Sequence, residues 1–318
     1  MHDGISESRR RTVALSGASG LVGSVVGAML TRGGHRVIRL VRPGARSTET
    51  ADSTIWDPAS GLAEPSRVEE FDAIVHLAGE NIAAGRWTAA RRKAIRDSRV
   101  EGTRSLVRSL EGLKGGPETL VCASAIGWYG PRDGAEEIVE TSPPGGGFLA
   151  EVCREWEAAA DEAARHGLRV VKLRFGAVLS DKGGFLAKVL TPFRLGLGGP
   201  VGSGKQVLSW VAVDDAAAAI VESLEHKELQ GPLNVTAPHA VTNAEFTRAL
   251  ARVLRRPAIL PAPGFALRAV FGSLADELLL SGQRVVPRLL LEHGFSFRFP
   301  DIEPALRHYL GRPTQSAA

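Results

Sequence analysis

Gly17, Gly20 and Gly23 recur at every third residue in Gly17-Ala18-Ser19-Gly20-Leu21-Val22-Gly23. An apolar run, Thr12–Ser16, precedes them, and a helical pattern, Leu21–Thr31, follows. In a strand–turn–helix of this kind the first glycine permits a tight turn. The second lets the backbone approach a pyrophosphate, and the third lets the helix pack close to the sheet. The helix N-terminus adds unpaired N–H groups and a partial positive charge. With a strand before it and a helix after it, the pattern predicts a dinucleotide-binding turn.

The next apolar run, His35–Val41, ends in Arg39-Leu40-Val41-Arg42. An acidic residue here would hold a ribose 2′-hydroxyl, and none is present in that stretch. Arg39 and Arg42 could instead grip a 2′-phosphate, which predicts NADP over NAD. They could also be solvated charges at the strand edge. Farther along, Ser124 ends another apolar run and Tyr129 follows it in Cys122-Ala-Ser124-Ala-Ile-Gly127-Trp128-Tyr129-Gly130. Both could hydrogen-bond a substrate carbonyl on the ligand-bearing edge of a sheet, or simply pack. Asp57, just before Pro58, reads as a turn residue, and His76, in an apolar run, reads as structural.

Two features mimic other chemistries. Gly199-Pro-Val-Gly-Ser-Gly204-Lys205-Gln206 nearly matches a triphosphate-binding loop, but Gln206 stands where a magnesium-binding hydroxyl is needed, and no strand precedes it. A loop over a substrate cleft fits better. The only cysteines, Cys122 and Cys153, lie far apart and form no metal or redox pair. The eight histidines show no metal-ligand spacing.

The elements that must position these residues alternate. Strand-like runs Ala73–Leu77, Thr119–Ser124 and Arg169–Leu173 continue the series. Helical stretches Ala89–Leu110 and Ala150–Arg165 lie between them. Alternation of this kind implies a parallel sheet covered on both faces, with right-handed crossovers. The fold class is therefore α/β, a Rossmann-type doubly wound sheet with a smaller C-terminal substrate-side region. The divisions expected are a loose tail over 1–11, a reductase domain over 12–256 and a small domain over 264–311. The three prolines of Pro257–Pro263 mark the link. Asp214 or Asp215 is placed to cap a helix over Asp214–Leu224. Leu267–Leu280 reads as helix, and Phe295, Phe297 and Phe299 alternate as a strand would.

In 318 residues, 44% are hydrophobic, as in packed globular chains, and no apolar run approaches the ~20 residues that cross a bilayer. Net charge is +4, with basic residues dispersed and only 6% aromatics, which does not suggest a nucleic-acid reader. A soluble, cytoplasmic protein is expected, acting on a small molecule.

The whole pattern resembles the extended short-chain dehydrogenase/reductases, the superfamily that includes sugar-nucleotide epimerases. Within it, the chain is similar to the atypical epimerase family proteins of the SDR39U or cell-division-inhibitor-like type. The residues that carry the match include Leu77-Ala78-Gly79-Glu80-Asn81, Arg86-Trp87-Thr88, Ser98-Arg99, Gly127-Trp-Tyr-Gly130 and Trp156-Glu157. Gly231-Pro-Leu-Asn234, Gly282-Gln-Arg-Val-Val-Pro287 and Gly294-Phe-Ser-Phe297 extend it toward the C-terminus. The resemblance implies that Gly17–Gly23 hold a pyrophosphate and that Leu77, Ala78, Gly79 and Glu80 line the path to the nicotinamide. It places Arg99 where epimerases have an asparagine, and Ser124 at the active-site serine. It implies an NADP-dependent oxidoreductase or epimerase acting on a carbonyl or nucleotide-sugar-like substrate. One departure is large. The superfamily's Tyr-x-x-x-Lys pair, which moves the proton, is missing, and Phe148-Leu-Ala-Glu-Val152-Cys153 stands in its place. That loss favours an alternative, a non-catalytic NADP-binding module that regulates a partner.

Overall fold

The central strand-forming runs, 73–76 and 119–125, are buried almost end to end, because helices cover both faces of the sheet they build. The computed structural model describes residues 10–44, 52–112, 115–132 and 134–312. Most of the tail expected over 1–11 lies outside them. The strands are β1 (Thr12–Ser16), β2 (Arg36–Val41), β3 (Ser53–Asp57), β4 (Gly61–Leu62), β5 (Ala73–His76), β6 (Thr119–Ala125) and β7 (Glu137–Ile138). They continue as β8 (Arg169–Phe175), β9 (Ala177–Ser180), β10 (Val207–Leu208), β11 (Trp210–Ala212), β12 (Gly231–Val235), β13 (Val241–Thr242) and β14 (Arg284–Val285). The helices are α1 (Leu21–Arg32), α2 (Ala89–Arg108), α3 (Phe148–Asp161), α4 (Gly184–Arg194), α5 (Val213–Glu225) and α6 (Asn243–Leu254). Three short ones follow: α7 (Gly264–Phe271), α8 (Arg288–Glu292) and α9 (Ile302–Tyr309).

The main sheet runs β12-β8-β6-β5-β1-β2-β3-β4, parallel except for the antiparallel edge pair β3–β4. Strand order reverses at β1, which pairs with β2 on one side and β5 on the other. In such sheets the crevice at the switch point, outside the carboxyl ends of the strands, is where ligands bind. One face packs Val26 and Leu30 of α1 with Ala216, Ala217 and Ile220 of α5. The opposite face packs Val100 and Leu106 of α2 with Trp156 and Ala159 of α3.

The expected strands and helices of this body form within a few residues of their predicted ends. Three C-terminal expectations need correction. Phe295, Phe297 and Phe299 form no strand. Phe295 and Phe297 meet edge to face and lie on the α1–α5 side of the core, while Phe299 is buried with α6 and α9. The helix over Leu267–Leu280 is broken at Gly272, where φ is +63°, into α7 and a wider turn over Ala275–Leu279. Asp214 and Asp215 do not cap α5, whose N-cap residue is Ala212. Instead the Asp215 carboxylate accepts from the N–H groups of Arg298 and Phe299, and Asp214 accepts from the Tyr309 hydroxyl. These carboxylates hold the C-terminal segment against the body. Among the described residues no helix is long and apolar enough to cross a membrane.

The switch point itself is braced by a buried trio. Ser16 Oγ accepts from the N–H groups of Leu77 and Ala78, at 3.0 and 3.2 Å, so its single proton goes to His76 Nδ1 at 2.7 Å. His76 is therefore neutral, with its proton on Nε2, and its ring meets Trp56 edge to face. Burial holds its pKa down at about 4. A histidine with a depressed folded-state pKa stabilises the fold above its unfolded value, about 6.5, and that contribution is lost as pH falls through about 4. The shift corresponds to about 3 kcal/mol. Urea unfolding at pH 7 and pH 4 should show the wild-type chain losing about that much more than His76→Asn, which keeps an acceptor but does not titrate. Equal losses would remove His76 as the sensitive group.

Candidate dinucleotide site

Gly17 leaves β1 with φ +69°, and a Cβ there would lie 2.9 Å from the Leu77 carbonyl carbon. A Cβ on Gly23 would stand 2.2 Å from Gly17 O, so α1 can sit this close to the turn only with glycine at that position. Gly20 donates its N–H to Gly17 O at 2.8 Å and serves as N-cap of α1 without a side-chain cap. The first turn of α1 contains no acidic residue. The N–H groups of Leu21, Val22 and Gly23, in the first turn of α1, have no intrahelical partners, as an anion site requires. Ala18 and Ser19 complete the turn, with Ser19 and Gly20 exposed.

Arg39 and Arg42 are both exposed, on β2 and just after it. Arg39 lines an open groove of about 610 Å³ between α1 and β2, along with Ala18, Gly27, Thr31 and Asp52. Asp52 was not foreseen at this place. Its carbonyl accepts from the Arg39 N–H, and its carboxylate lies 3.3 Å from Arg36 Nε. An acidic residue is thus beside the arginines in space, although not in sequence, and it is engaged by Arg36.

Beyond β5, the segment Leu77–Glu80 is pinned to α2. The Glu80 N–H donates to Ser98 Oγ, the Glu80 carboxylate pairs with Arg91 at 2.7 Å, and the Glu80 carbonyl accepts from Arg99 Nη1 at 3.0 Å. The Arg99 guanidinium also donates to Ile95 O and stacks over Trp156. Its planar end lies along Gly79, where a Cβ would be 3.3 Å from Cζ. Burial lowers the Arg99 pKa, with Glu80 opposing that shift. In α3, Leu149 and Cys153 stand one turn apart, facing Gly127. Burial pushes the Cys153 thiol up to about 12, so it is neither a thiolate nor an acid at neutral pH.

Ser124 and Tyr129 come together, but not as open groups. Ser124, Arg174 and Asn234 are cross-strand neighbours on β6, β8 and β12. Ser124 donates to Glu157 Oε1 at 2.7 Å, and Glu157 receives a bidentate pair from Arg174, 2.8 Å on each arm. The Tyr129 hydroxyl accepts from Arg174 Nη1 at 2.9 Å and donates to Asn234 Oδ1 at 2.7 Å. Trp128 lies over the guanidinium, 4.0 Å from ring centre to Cζ. Glu140 accepts from the N–H groups of Asn234 and Leu289. Ser124, Tyr129, Glu140, Glu157, Arg174 and Asn234 are all buried. Burial raises the pKa of Tyr129, against the pull of Arg174, and raises that of Glu140. Sequence reasoning missed the roles of Glu140, Glu157, Arg174 and Asn234. The one available signal was a charge, Arg174, beside Phe175 at the end of β8, a position that the burial of the strand's ligand-bearing edge makes unusual for a cation.

The Gly199–Gln206 stretch lies between α4 and β10, so it lacks the strand–loop–helix setting of a triphosphate site. The Gln206 amide donates to the carbonyls of Val201 and Leu279, which ties this loop to the C-terminal segment. Asp57 accepts from the Ala59 N–H in the turn it was expected to form, and both cysteines are buried as free thiols.

This geometry has known counterparts. Residues 13–236 match the NAD dependent epimerase/dehydratase family. The chain belongs to that family. Residues 262–309 match a domain of unknown function, DUF1731. An epimerase family protein of Mycobacterium leprae is 39% identical over 310 residues, covering 97% of this chain and 99% of its own. A crystal structure of the human epimerase family protein SDR39U1 with NADPH superposes with a TM-score of 0.84 at 34% identity, covering 94% of this chain and 99% of that one. The Thermus thermophilus UDP-glucose 4-epimerase complex with NAD has a TM-score of 0.70 at 22% identity, covering 94% and 99%, and shares the fold. The narrower resemblance read from the sequence therefore holds along nearly the whole chain.

Proposed function

We propose that this epimerase-family chain binds NADP(H) across the switch point, in an oxidoreductase or epimerase cleft for a small carbonyl or nucleotide-sugar-like substrate. The carrying observation is the Gly17–Gly23 turn at the start of α1, with Arg39 lining the groove beside it and Arg42 just after β2. The turn holds the pyrophosphate and the arginines hold the 2′-phosphate. Leu77, Ala78, Gly79 and Glu80 line the way to the nicotinamide, which supplies hydride chemistry when bound. Arg99 brings a cation to this edge from α2, whereas the superfamily's lysine comes from the helix after β6. That the human relative was crystallised with NADPH supports this reading.

The second reading, a non-catalytic NADP(H) module that controls a partner, is favoured by one specific observation. The hydroxyls of Ser124 and Tyr129, the groups expected at the reacting centre, are both engaged in the buried Arg174–Glu157 network. A proton donor held there is not free to serve a substrate. General acid catalysis contributes about 10²–10⁴-fold, so NADPH oxidation against a carbonyl panel should be slower than ordinary reductase turnover by about that factor. On the first reading, Tyr129→Phe should reduce turnover at least ~10-fold while NADPH affinity stays unchanged. Fast turnover that survives Tyr129→Phe would remove Tyr129 from the reaction and end the second reading. Tight NADPH binding with no turnover across the panel would end the first.

A further inference from the structure

The C-terminal end of α5 and the turn after α8 bring together three side chains that the cleft does not use. Glu222 and His226 are one helical turn apart at the end of α5, and His293 follows α8. Nε2 of His226 lies 3.4 Å from Glu222 Oε1, and Nε2 of His293 lies 3.7 Å from the same oxygen. One ligand atom from each of the three residues falls within 4.8 Å of the others. The two imidazoles meet edge to face with centroids 4.6 Å apart.

These separations are longer than an N–H···O bond, about 2.7–3.2 Å. They are close to the edge of a tetrahedron of donors around zinc, about 3.3 Å for bonds of about 2.0–2.1 Å. The ring orientation agrees. Both histidines turn Nε2 toward the shared oxygen, while Nδ1 of His226 faces Glu228 Oε2 at 4.0 Å. Among the described residues, no lysine or arginine pairs with Glu222. His293 and Glu222 are mostly shielded, with 21% and 28% of their side chains exposed.

We propose that Glu222, His226 and His293 form a zinc site, with water in the fourth position. Two imidazoles and one carboxylate suit zinc far better than magnesium or calcium, which prefer oxygen donors. The ion would clamp the C-terminal segment, through His293, to α5 of the main body.

Calorimetric titration of the chelator-stripped full chain should give one zinc per chain with no matching magnesium signal. Cobalt at the same site should give the absorption bands of tetrahedral coordination. His293→Ala and His226→Gln should each weaken zinc at least ~10-fold and abolish those bands. His226 is 43% exposed, so His226→Gln keeps a folded chain, which melting of the zinc-free variants checks. No zinc uptake by the wild-type chain would overturn the site. So would uptake and cobalt bands left unchanged by both histidine variants, since the metal would then lie elsewhere.

Discussion

Arg174→Met should lower the free energy of unfolding by about 3–5 kcal/mol, the usual cost of leaving a buried charge without its partner. Arg174 supplies both arms of the Glu157 pair, a hydrogen bond to Tyr129 and another to the Glu140 carbonyl. Methionine fills a similar volume but leaves Glu157 as a buried carboxylate with Ser124 as its remaining side-chain donor. Urea unfolding at pH 7 measures the loss. Adding Glu157→Leu to Arg174→Met should recover much of it, because removing both charges also removes the desolvation cost. A loss below about 1 kcal/mol for the single variant would mean that water reaches Glu157 in solution.

A second large effect is expected in cofactor choice. Arg39 and Arg42 are exposed, so each contact to a 2′-phosphate is screened, and together they should favour NADP over NAD by about 1–3 kcal/mol, or about 5- to 150-fold. The double variant Arg39→Ala/Arg42→Ala should remove most of that preference while NAD affinity changes little. Calorimetric titration with both dinucleotides decides the matter. Equal affinities in the wild-type chain would return the two arginines to the solvated surface, and would leave Asp52 as the candidate ribose ligand.

The nucleotide half of the molecule was legible because its constraints are local. A glycine needed for φ +69° at Gly17, or for helix approach at Gly23, must be glycine whatever surrounds it. Apolar strands between helical patterns likewise announce a covered parallel sheet. The other half depends on register and on distant partners. Ser124, Arg174 and Asn234 become neighbours only when β6, β8 and β12 align, and their sequence separations carry no hint of it. Phe295, Phe297 and Phe299 alternate as a strand would, yet they pair with no strand, and Phe295 and Phe297 pack instead into the core cluster that holds Leu233 and Val235, so tertiary packing overrode the pattern. Asp215 looked like a cap because capping is the commonest task for an aspartate at a helix start. Its carboxylate went instead to two backbone N–H groups that arrive from more than eighty residues away.

The hydrogen bonds that close the buried cluster bear on the order in which the chain can mature on the ribosome. Asn234 Nδ2 donates to Val286 O, Thr236 Oγ1 to Val285 O, and Ser209 Oγ to Gln283 O. Glu140 takes one of its N–H donors from Leu289. A nascent chain that has already extruded every strand of the main sheet still carries polar atoms whose partners have yet to emerge. The sheet edge at β12 must stay wet and loosely packed until the last segment emerges. A chain that stops short of residue 283 should therefore be recognised by the cell as unfinished, even though all eight strands of that sheet are present.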